Sequence, residues 1–202
     1  MRNFLIVVMT ISLFLVVALP PACAQSNDLS VWDLHTERGG YTPYVQYLHV
    51  GGKVVAFARY NYDAPRTAGL CAGPKIGHDS FAIVPEACGY YGKTRGYGPE
   101  VLLFSETRMV SFVQQTQYFL GTAGARRFVY DFTDLRVKMG RHLSAGAYAQ
   151  FFNELGQKPQ TDVGPSGRVN IGKAYVFISP MASASRTTRG QKTVLIGLGY
   201  TW

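Results

Sequence analysis

The chain has 202 residues, a formal net charge of +8 and 47% hydrophobic residues, and its length suits a single domain. Past residue 24, no apolar run approaches the roughly 20 residues that a membrane-spanning helix needs. A multi-helix membrane protein is therefore excluded, and any insertion must use strands. The basic excess has two interpretations, an ordinary solvent-exposed surface or contact with anionic lipid phosphates.

The N-terminal segment has the pattern of an export signal. A positively charged start precedes an almost wholly apolar run over residues 4–19, and Ala22-x-Ala24 fits the site that signal peptidase cleaves. We therefore expect residues 1–24 to be a cleaved signal peptide. A retained anchor helix and a lipid-modified Cys23 are the alternatives. Export also argues against a nucleic-acid partner.

Strand signals dominate the rest of the chain, with runs rich in Val, Tyr, Phe and Thr between glycine-containing turns. Gly51-Gly52 is the strongest hairpin signal. Eight strands are predicted, and most are about 9–13 residues long, enough to cross a bilayer when tilted. They cover residues 41–50, 53–63, 97–105, 109–120, 127–139, 142–152, 168–179 and 192–202.

Two further stretches, residues 31–36 and 81–91, also have strand composition, so ten strands is the alternative. The first lies in an N-terminal segment, residues 25–40, which we interpret as carrying at most one extra strand. The second lies in a stretch rich in Gly and Pro, residues 64–96, which we expect to be an insertion. Residues 41–202 would then form the barrel.

Cys71 and Cys88 are the two cysteines left once the signal is removed. An even pair in an exported chain predicts a disulfide, which would tie the insertion together. In the chain-entropy model such a bridge contributes about 3 kcal/mol. Two free buried thiols are the alternative.

The last ten residues alternate most regularly, because strand side chains point to opposite faces in turn. One face is apolar and ends in two aromatic rings: Val194, Ile196, Leu198, Tyr200 and Trp202. The other face is mostly small or polar: Thr193, Leu195, Gly197, Gly199 and Thr201. This pattern suits the closing strand of a barrel in a lipid bilayer.

An export signal, amphipathic strands and the closing Gly-Tyr-Thr-Trp together resemble the small outer-membrane β-barrels of Gram-negative bacteria. The resemblance implies an all-β fold, a closed antiparallel up-and-down barrel of eight strands that spans the bacterial outer membrane. It also implies that Leu198, Tyr200 and Trp202 are read by the outer-membrane assembly machinery, although that class usually ends in Phe. With Trp202 at the periplasmic end, eight strands would place the Gly51-Gly52 turn outside and the long connections inside, which reverses the usual pattern.

The lumen of an eight-stranded barrel has room only for side chains or one small ligand. Alternation along the strands places several charged residues inward, where buried charges must pair. We therefore expect a salt-bridge network that fills the lumen, with a narrow polar conduit as the alternative. The network comprises Arg59, Asp63, Asp134, Arg136 and Lys138.

His142 and Ser144 are the only nucleophile-like pair on one strand face, and Glu154 or Asp134 could orient the histidine. The spacing is similar to the His-x-Ser of outer-membrane lipid A deacylases, but Ala145 stands where that family has Asn. A polar lining residue beside a turn is the simpler interpretation. The four histidines lack ligand-like spacing, so neither a metal nor a cofactor is expected.

The main hypothesis is an outer-membrane barrel with a structural, interaction or envelope-integrity role, and not an enzyme. A lumenal lipid A deacylase-like hydrolase and a narrow channel or small-ligand carrier are the alternatives. The expected partners are outer-membrane lipid, including lipopolysaccharide phosphates, and the assembly machinery; the oligomeric state stays open. Basic residues in the connections are the candidates for phosphate contact: Arg66, Lys75, Lys93, Arg95, Arg126, Arg127, Arg186, Arg189 and Lys192.

Overall fold

The computed structural model describes residues 24–37, 40–61, 66–78, 80–122, 124–185 and 190–202. Within these ranges thirteen strands form one antiparallel sheet. They are β1 (Ala24–Thr36), β2 (Gly40–Gly51), β3 (Val54–Asn61), β4 (Thr67–Pro74), β5 (Ile76–His78), β6 (Phe81–Gly92), β7 (Gly96–Glu106), β8 (Val110–Gly121), β9 (Phe128–Met139), β10 (Leu143–Glu154), β11 (Gln160–Ile171), β12 (Ala174–Ser183) and β13 (Lys192–Thr201).

Two of the sequence predictions fall on residues that the structure does not describe. The predicted signal peptide lies outside the described ranges except for Ala24, and Asp63 lies outside them entirely. Among the described residues, no helix is long and apolar enough to cross a membrane.

The sheet closes on itself to form a barrel of twelve strands. Its seams are closed by pairing of β1 with β13 and of β4 with β6. β5 has three residues, continues β4 past Lys75 and pairs with the beginning of β6, so it does not count as a separate wall strand. The predicted all-β, closed, antiparallel up-and-down architecture is confirmed, but the prediction of eight strands is wrong, and so is the ten-strand alternative.

The four additional strands come from stretches interpreted as connections. β1 occupies the predicted N-terminal segment, and β4 and β6 occupy the predicted insertion. The predicted strand over residues 168–179 contains a turn at residues 172–173 and belongs to two strands, β11 and β12. Glycine misled the prediction in β4, because a Cβ atom on Gly69 would lie 2.6 Å from the Tyr90 ring. In this wall, glycine makes room for a neighbouring aromatic side chain.

Side chains alternate between lumen and lipid along each strand. β12 shows this most clearly, since Tyr175 and Phe177 are buried whereas Val176 and Ile178 are exposed on the outer face. The alternation predicted for the last strand is present in β13, where Thr193 and Leu195 are buried and Ile196, Leu198, Tyr200 and Trp202 are exposed. An apolar outer face flanked by aromatic rings suits a barrel wall in lipid.

The two ends of the barrel differ in the length of their connections. At the short-turn end, the connections that follow β2, β5, β7, β9 and β11 have two or three residues between the strand bounds. At the long-loop end, the connections that follow β1, β3, β6, β8, β10 and β12 have three to eight residues between the strand bounds. Trp202 lies at the short-turn end, where its backbone exchanges hydrogen bonds of 2.8 and 2.9 Å with Asn27. The predicted reversal of the loops is therefore wrong: because β1 precedes β2, the Gly51-Gly52 turn lies at the same end as Trp202.

Gly146 points into the lumen at a place where β10 lies close to the backbone of β9. Gly146→Ala should lower the free energy of unfolding by about 1–3 kcal/mol, because a Cβ atom there would lie 1.8 Å from the Leu135 carbonyl oxygen. Urea unfolding of the barrel in lipid vesicles measures the loss. Gly52→Ala is the matched control, since a Cβ atom on Gly52 would meet nothing within 4 Å. Equal stability of the two variants would contradict this packing.

Candidate functional site

The lumen contains two adjoining cavities. The upper cavity, of about 490 Å³, opens toward the long-loop end, and the lower cavity, of about 200 Å³, lies toward the short-turn end. The residues that line both cavities form what we call the collar: Tyr44, Phe57, Arg59, Gln115, Tyr130, Tyr148 and Leu195. The two cavities thus meet at one ring of lumen side chains, with space on both sides of it.

Aromatic rings supply much of the lumen wall. The Tyr148 ring packs against Phe132, with centroids 5.8 Å apart, and against Phe177 at 6.0 Å; Phe177 in turn contacts Trp32 at 5.2 Å. These rings face the interior, so they are part of the passage and not of an interfacial girdle. In β9, Phe132 and Asp134 are two residues apart, so their side chains lie on the same, inward face.

Arg59 is held in the collar by two contacts. Its Nε–H donates to the Asn61 side-chain oxygen at 2.9 Å, and its guanidinium carbon lies 3.9 Å from the centre of the Tyr44 ring. Asn61 and Tyr44 face each other across the β2–β3 seam. The arginine is therefore held over the face of the ring, and its Nε–H group already has an acceptor.

Arg168 repeats this arrangement in the lower cavity. Its Nε–H donates to the Asn170 side-chain oxygen at 2.8 Å, and its guanidinium carbon lies 3.6 Å from the centre of the Tyr175 ring. Asn170 and Tyr175 are again cross-strand partners, here between β11 and β12. The Tyr175 hydroxyl donates to Asp28 at 3.0 Å, which fixes the ring. We call each arrangement an Arg-Asn-Tyr shelf.

The two shelves leave cationic groups directed at the cavities. Among the described residues, no carboxylate forms an ion pair with Arg59 or Arg168. The terminal guanidinium N–H groups can therefore meet a solute, and their planar fork suits a carboxylate. The sequence analysis missed Arg168 and both tyrosines. The repeated Arg-x-Asn pattern on one strand face was the available signal.

The predicted charge network is only partly assembled in the described residues. Asp134 and Arg136 are both buried and form an ion pair of 2.9 Å, and the Ser166 hydroxyl donates to Asp134 at 3.1 Å. Arg59 lies in the collar instead, away from that pair. Lys138 contacts Glu106 at the short-turn end. The lumen charges thus form separate local groups.

The predicted disulfide between Cys71 and Cys88 is confirmed, with an S–S distance of 2.07 Å. The two residues are direct cross-strand partners in the β4–β6 seam. Beside them lie two buried acids that the sequence analysis missed, Glu86 and Glu100. Glu86 was overlooked because its stretch was interpreted as an insertion, although Val84, Glu86 and Cys88 share one strand face.

The candidate hydrolase residues are not brought together. His142 is exposed at the short-turn end, with Nδ1 3.0 Å from the Asn170 carbonyl oxygen. Ser144 is buried on the lumen side of β10. Glu154 lies at the opposite end of β10, roughly 30 Å from Ser144 at about 3.4 Å per residue, and pairs with Arg126 at 2.5 Å. These three residues form no catalytic arrangement.

One group of three potential metal ligands occurs among the described residues, formed by Cys71, Cys88 and Glu100. Because the two sulfurs are bonded to each other, neither is a thiolate ligand. This group therefore does not bind a metal through its cysteines.

Comparison with known proteins finds the fold but no sequence family. No family model matches the chain, and no curated protein sequence matches it. A KdgM porin structure has a TM-score of 0.63 at 10% identity, covering 87% of this chain and 99% of that one. A NanC porin structure has a TM-score of 0.64 at 10% identity, covering 85% and 98%. A KdgM porin in complex with disordered oligogalacturonate has a TM-score of 0.64 at 10% identity, covering 87% and 99%.

These likenesses cover nearly the whole of each porin, so they concern the complete barrel. The predicted outer-membrane β-barrel is confirmed in type, with twelve strands. The predicted location in the bacterial outer membrane agrees with that of the porins whose fold the chain shares. The chain therefore has the fold of an outer-membrane porin.

Proposed function

We propose that this barrel is a narrow channel for small polar solutes, and that the solutes it favours carry carboxylates. The observation that carries the proposal is the pair of Arg-Asn-Tyr shelves, which line the two adjoining lumen cavities. This function corresponds to the channel alternative of the sequence analysis and takes precedence over a purely structural role.

The two shelves lie at different depths along the lumen, which supports a stepwise passage of the solute. Arg59 belongs to the collar, so a solute moving between the cavities must pass it, and Arg168 lines the lower cavity only. A conducting pore needs binding that is favourable enough for entry and weak enough for exit, and several sites in series meet that need. Two arginines at successive depths provide such a series.

The chemistry of each shelf suits an acidic sugar. A guanidinium fork pairs with a carboxylate, and the adjacent tyrosine offers an apolar face together with a hydroxyl. The KdgM porin structure in complex with oligogalacturonate, a chain of sugar acids, points to the same class of solute. Short uronate oligosaccharides are therefore the first solutes to test.

The orientation of the barrel follows from its connections. Outer-membrane barrels have short periplasmic turns and longer outer loops, so we place the short-turn end, with Trp202, in the periplasm. Arg66, Lys93, Arg95 and Arg127 then lie at the outer surface, where lipopolysaccharide phosphates are the proposed partner. Lys75 lies at the periplasmic end, since its N–H donates to the Lys53 carbonyl oxygen. Arg186 and Arg189 lie outside the described residues.

Conductance in a planar lipid bilayer tests the channel. The wild-type protein should give steady current that short oligogalacturonates block. Arg59→Gln or Arg168→Gln should weaken the block about tenfold, because a hydrogen bond to a charged group contributes about 1.5–3 kcal/mol. Arg108→Gln, at an exposed turn residue, is the matched control and should leave the block unchanged. A wild-type barrel that carries no steady current would refute the channel and favour the structural role.

A further inference from the structure

Glu86 and Glu100 form a carboxylate pair that the proposed transport does not use. They are direct partners across the β6–β7 seam, point into the lumen and border the lower cavity. Their exposed fractions are only 5% and 2%. Two acidic side chains are thus held side by side in a nearly closed part of the wall.

The neighbours of the pair are apolar or neutral. On the short-turn side lie Val84 and Leu102, which pack with Val55 in a buried apolar cluster. On the long-loop side lies the disulfide, with the Cys88 sulfur 3.6 Å from a Glu100 carboxylate oxygen. Neither of these neighbours along the strands carries a positive charge, and the arginines that line the same cavity are Arg59, Arg136 and Arg168.

The polar contacts of the pair are unequal. The Gln117 side-chain amide donates to Glu100 at 3.1 Å, and the Gln115 side chain also interacts with this carboxylate. Neither carboxylate oxygen of Glu86 accepts a hydrogen bond from an N–H or hydroxyl group among the described residues, and its polar contact is the Glu100 carboxyl group. Arg59 exerts an attraction on Glu100 but directs its own contacts to its shelf and forms no ion pair there.

This arrangement is incomplete on physical grounds. An ionised carboxylate only accepts hydrogen bonds, so Glu86 and Glu100 satisfy each other only if they share a proton. A buried charge without a partner is costly, and an unsatisfied buried group calls for a water or an ion. The available donors are carboxylate and amide oxygens, which are the ligands of hard divalent cations.

We propose that Glu86 and Glu100 bind a divalent metal cation of the calcium type in the wall of the lower cavity, with Gln115 as an adjacent oxygen donor. The bound ion cancels the negative charge of the pair and links β6 to β7. This site stands independently of the channel proposal, because it requires only the folded barrel.

Terbium luminescence of the full-length barrel in detergent tests the site. Tyr90 lies beside the pair, with its hydroxyl contacted by Gln117, so it can transfer excitation energy to a bound Tb³⁺ ion. We expect saturable emission that Ca²⁺ displaces at roughly 10⁻⁴–10⁻³ M, the range of weak calcium sites. The Glu86→Gln/Glu100→Gln variant should lose this emission.

Asp162→Asn is the matched control. Asp162 is also a buried lumen carboxylate, but its cross-strand partners are Gln150 and Ser183 and not a second acid. The Gln150 and Gln160 amides donate to its Oδ2 atom at 3.0 and 2.9 Å. It should retain Tb³⁺ emission. Emission that is equal in all variants would place the ion elsewhere and overturn the proposal.

A second measurement uses the wild-type protein alone and does not depend on a variant folding. Millimolar Ca²⁺ should raise the urea midpoint of unfolding relative to the same barrel in chelator, because a ligand that binds only the folded state stabilises it. No Ca²⁺ effect together with no saturable Tb³⁺ emission would mean that a shared proton neutralises the pair, which also overturns the proposal. Failure of the channel would instead appear as absent conductance, with metal binding intact.

Discussion

Replacing Asp134 by alanine should lower the free energy of unfolding by about 3–5 kcal/mol, the usual cost of removing one partner of a buried ion pair. The side chains of Asp134 and Arg136 are only 10% and 7% exposed, and their charged atoms lie 2.9 Å apart. Without Asp134, the Arg136 guanidinium keeps its charge among the rings of the lower cavity, 5.7 Å from the Phe177 centroid. The charge would be left without a counter-ion.

Urea unfolding of the barrel in lipid vesicles measures this loss, and two variants control for it. Glu106→Ala removes a half-exposed partner of Lys138, so it should cost only about 0–1 kcal/mol. Asp134→Leu combined with Arg136→Met removes both charges and should cost less than Asp134→Ala alone, because no charge is left unpaired. An Asp134→Ala variant as stable as Glu106→Ala would show that lumen water solvates Arg136 well, contrary to the burial in the structure.

Strands with clean alternation were predictable, and strands whose glycine and proline residues were interpreted as connections were not. β2, β3, β7, β8, β9, β10 and β13 begin and end close to their predicted positions. β11 was missed because Gly164 and Pro165 indicate a turn in an ordinary sheet. In the barrel, a Cβ atom on Gly164 would lie 1.9 Å from the Pro180 carbonyl oxygen, so the glycine allows close strand packing instead.

For the charged residues of the lumen, the sequence allowed us to predict which side of the wall they face. It did not allow us to predict which residues they contact. Alternation along single strands correctly directed Arg59, Asp134 and Arg136 inward. The partners of these residues depend on which strands become neighbours, and that order was lost with the strand count. The contact between Tyr175 and Asp28 joins residues 147 positions apart, across the seam that closes the barrel. No local pattern carries that information.

Aromatic residues show the same limit in another form. Tyr130 and Tyr148 were not among the predicted site residues, since an aromatic ring in a barrel strand suits a lipid interface as well as the lumen. Amphipathic rings are common at both places, because each place offers apolar contact and a polar partner for the hydroxyl. Only the closed barrel distinguishes them, and it places these two rings in the collar.

The second large effect is expected at the disulfide. Cys71→Ala/Cys88→Ala should lower the free energy of unfolding by about 3 kcal/mol, the chain-entropy contribution of a loop of this size. The bridge closes a separation of 17 residues. It lies in the β4–β6 seam, which has six paired residues and is continued by three more in β5, whereas the β9–β10 seam has twelve without interruption. The covalent bond therefore reinforces a short seam, in a wall that must remain closed in lipid because an open edge leaves backbone groups unpaired.

Because the bridge joins β4 to β6, its removal should destabilise that seam before the rest of the barrel. Hydrogen exchange should quicken first in β4 and β6 when the bridge is absent, because few backbone hydrogen bonds otherwise hold that seam, while β9 and β10 should keep their protection. Reduced wild-type protein should behave like the double variant, and a reductant should not change the variant further. Uniform loss of protection along the barrel would contradict a local role. Since Glu86 and Glu100 adjoin the bridge, an opened seam would also reduce Tb³⁺ emission, which couples the disulfide to the proposed cation site.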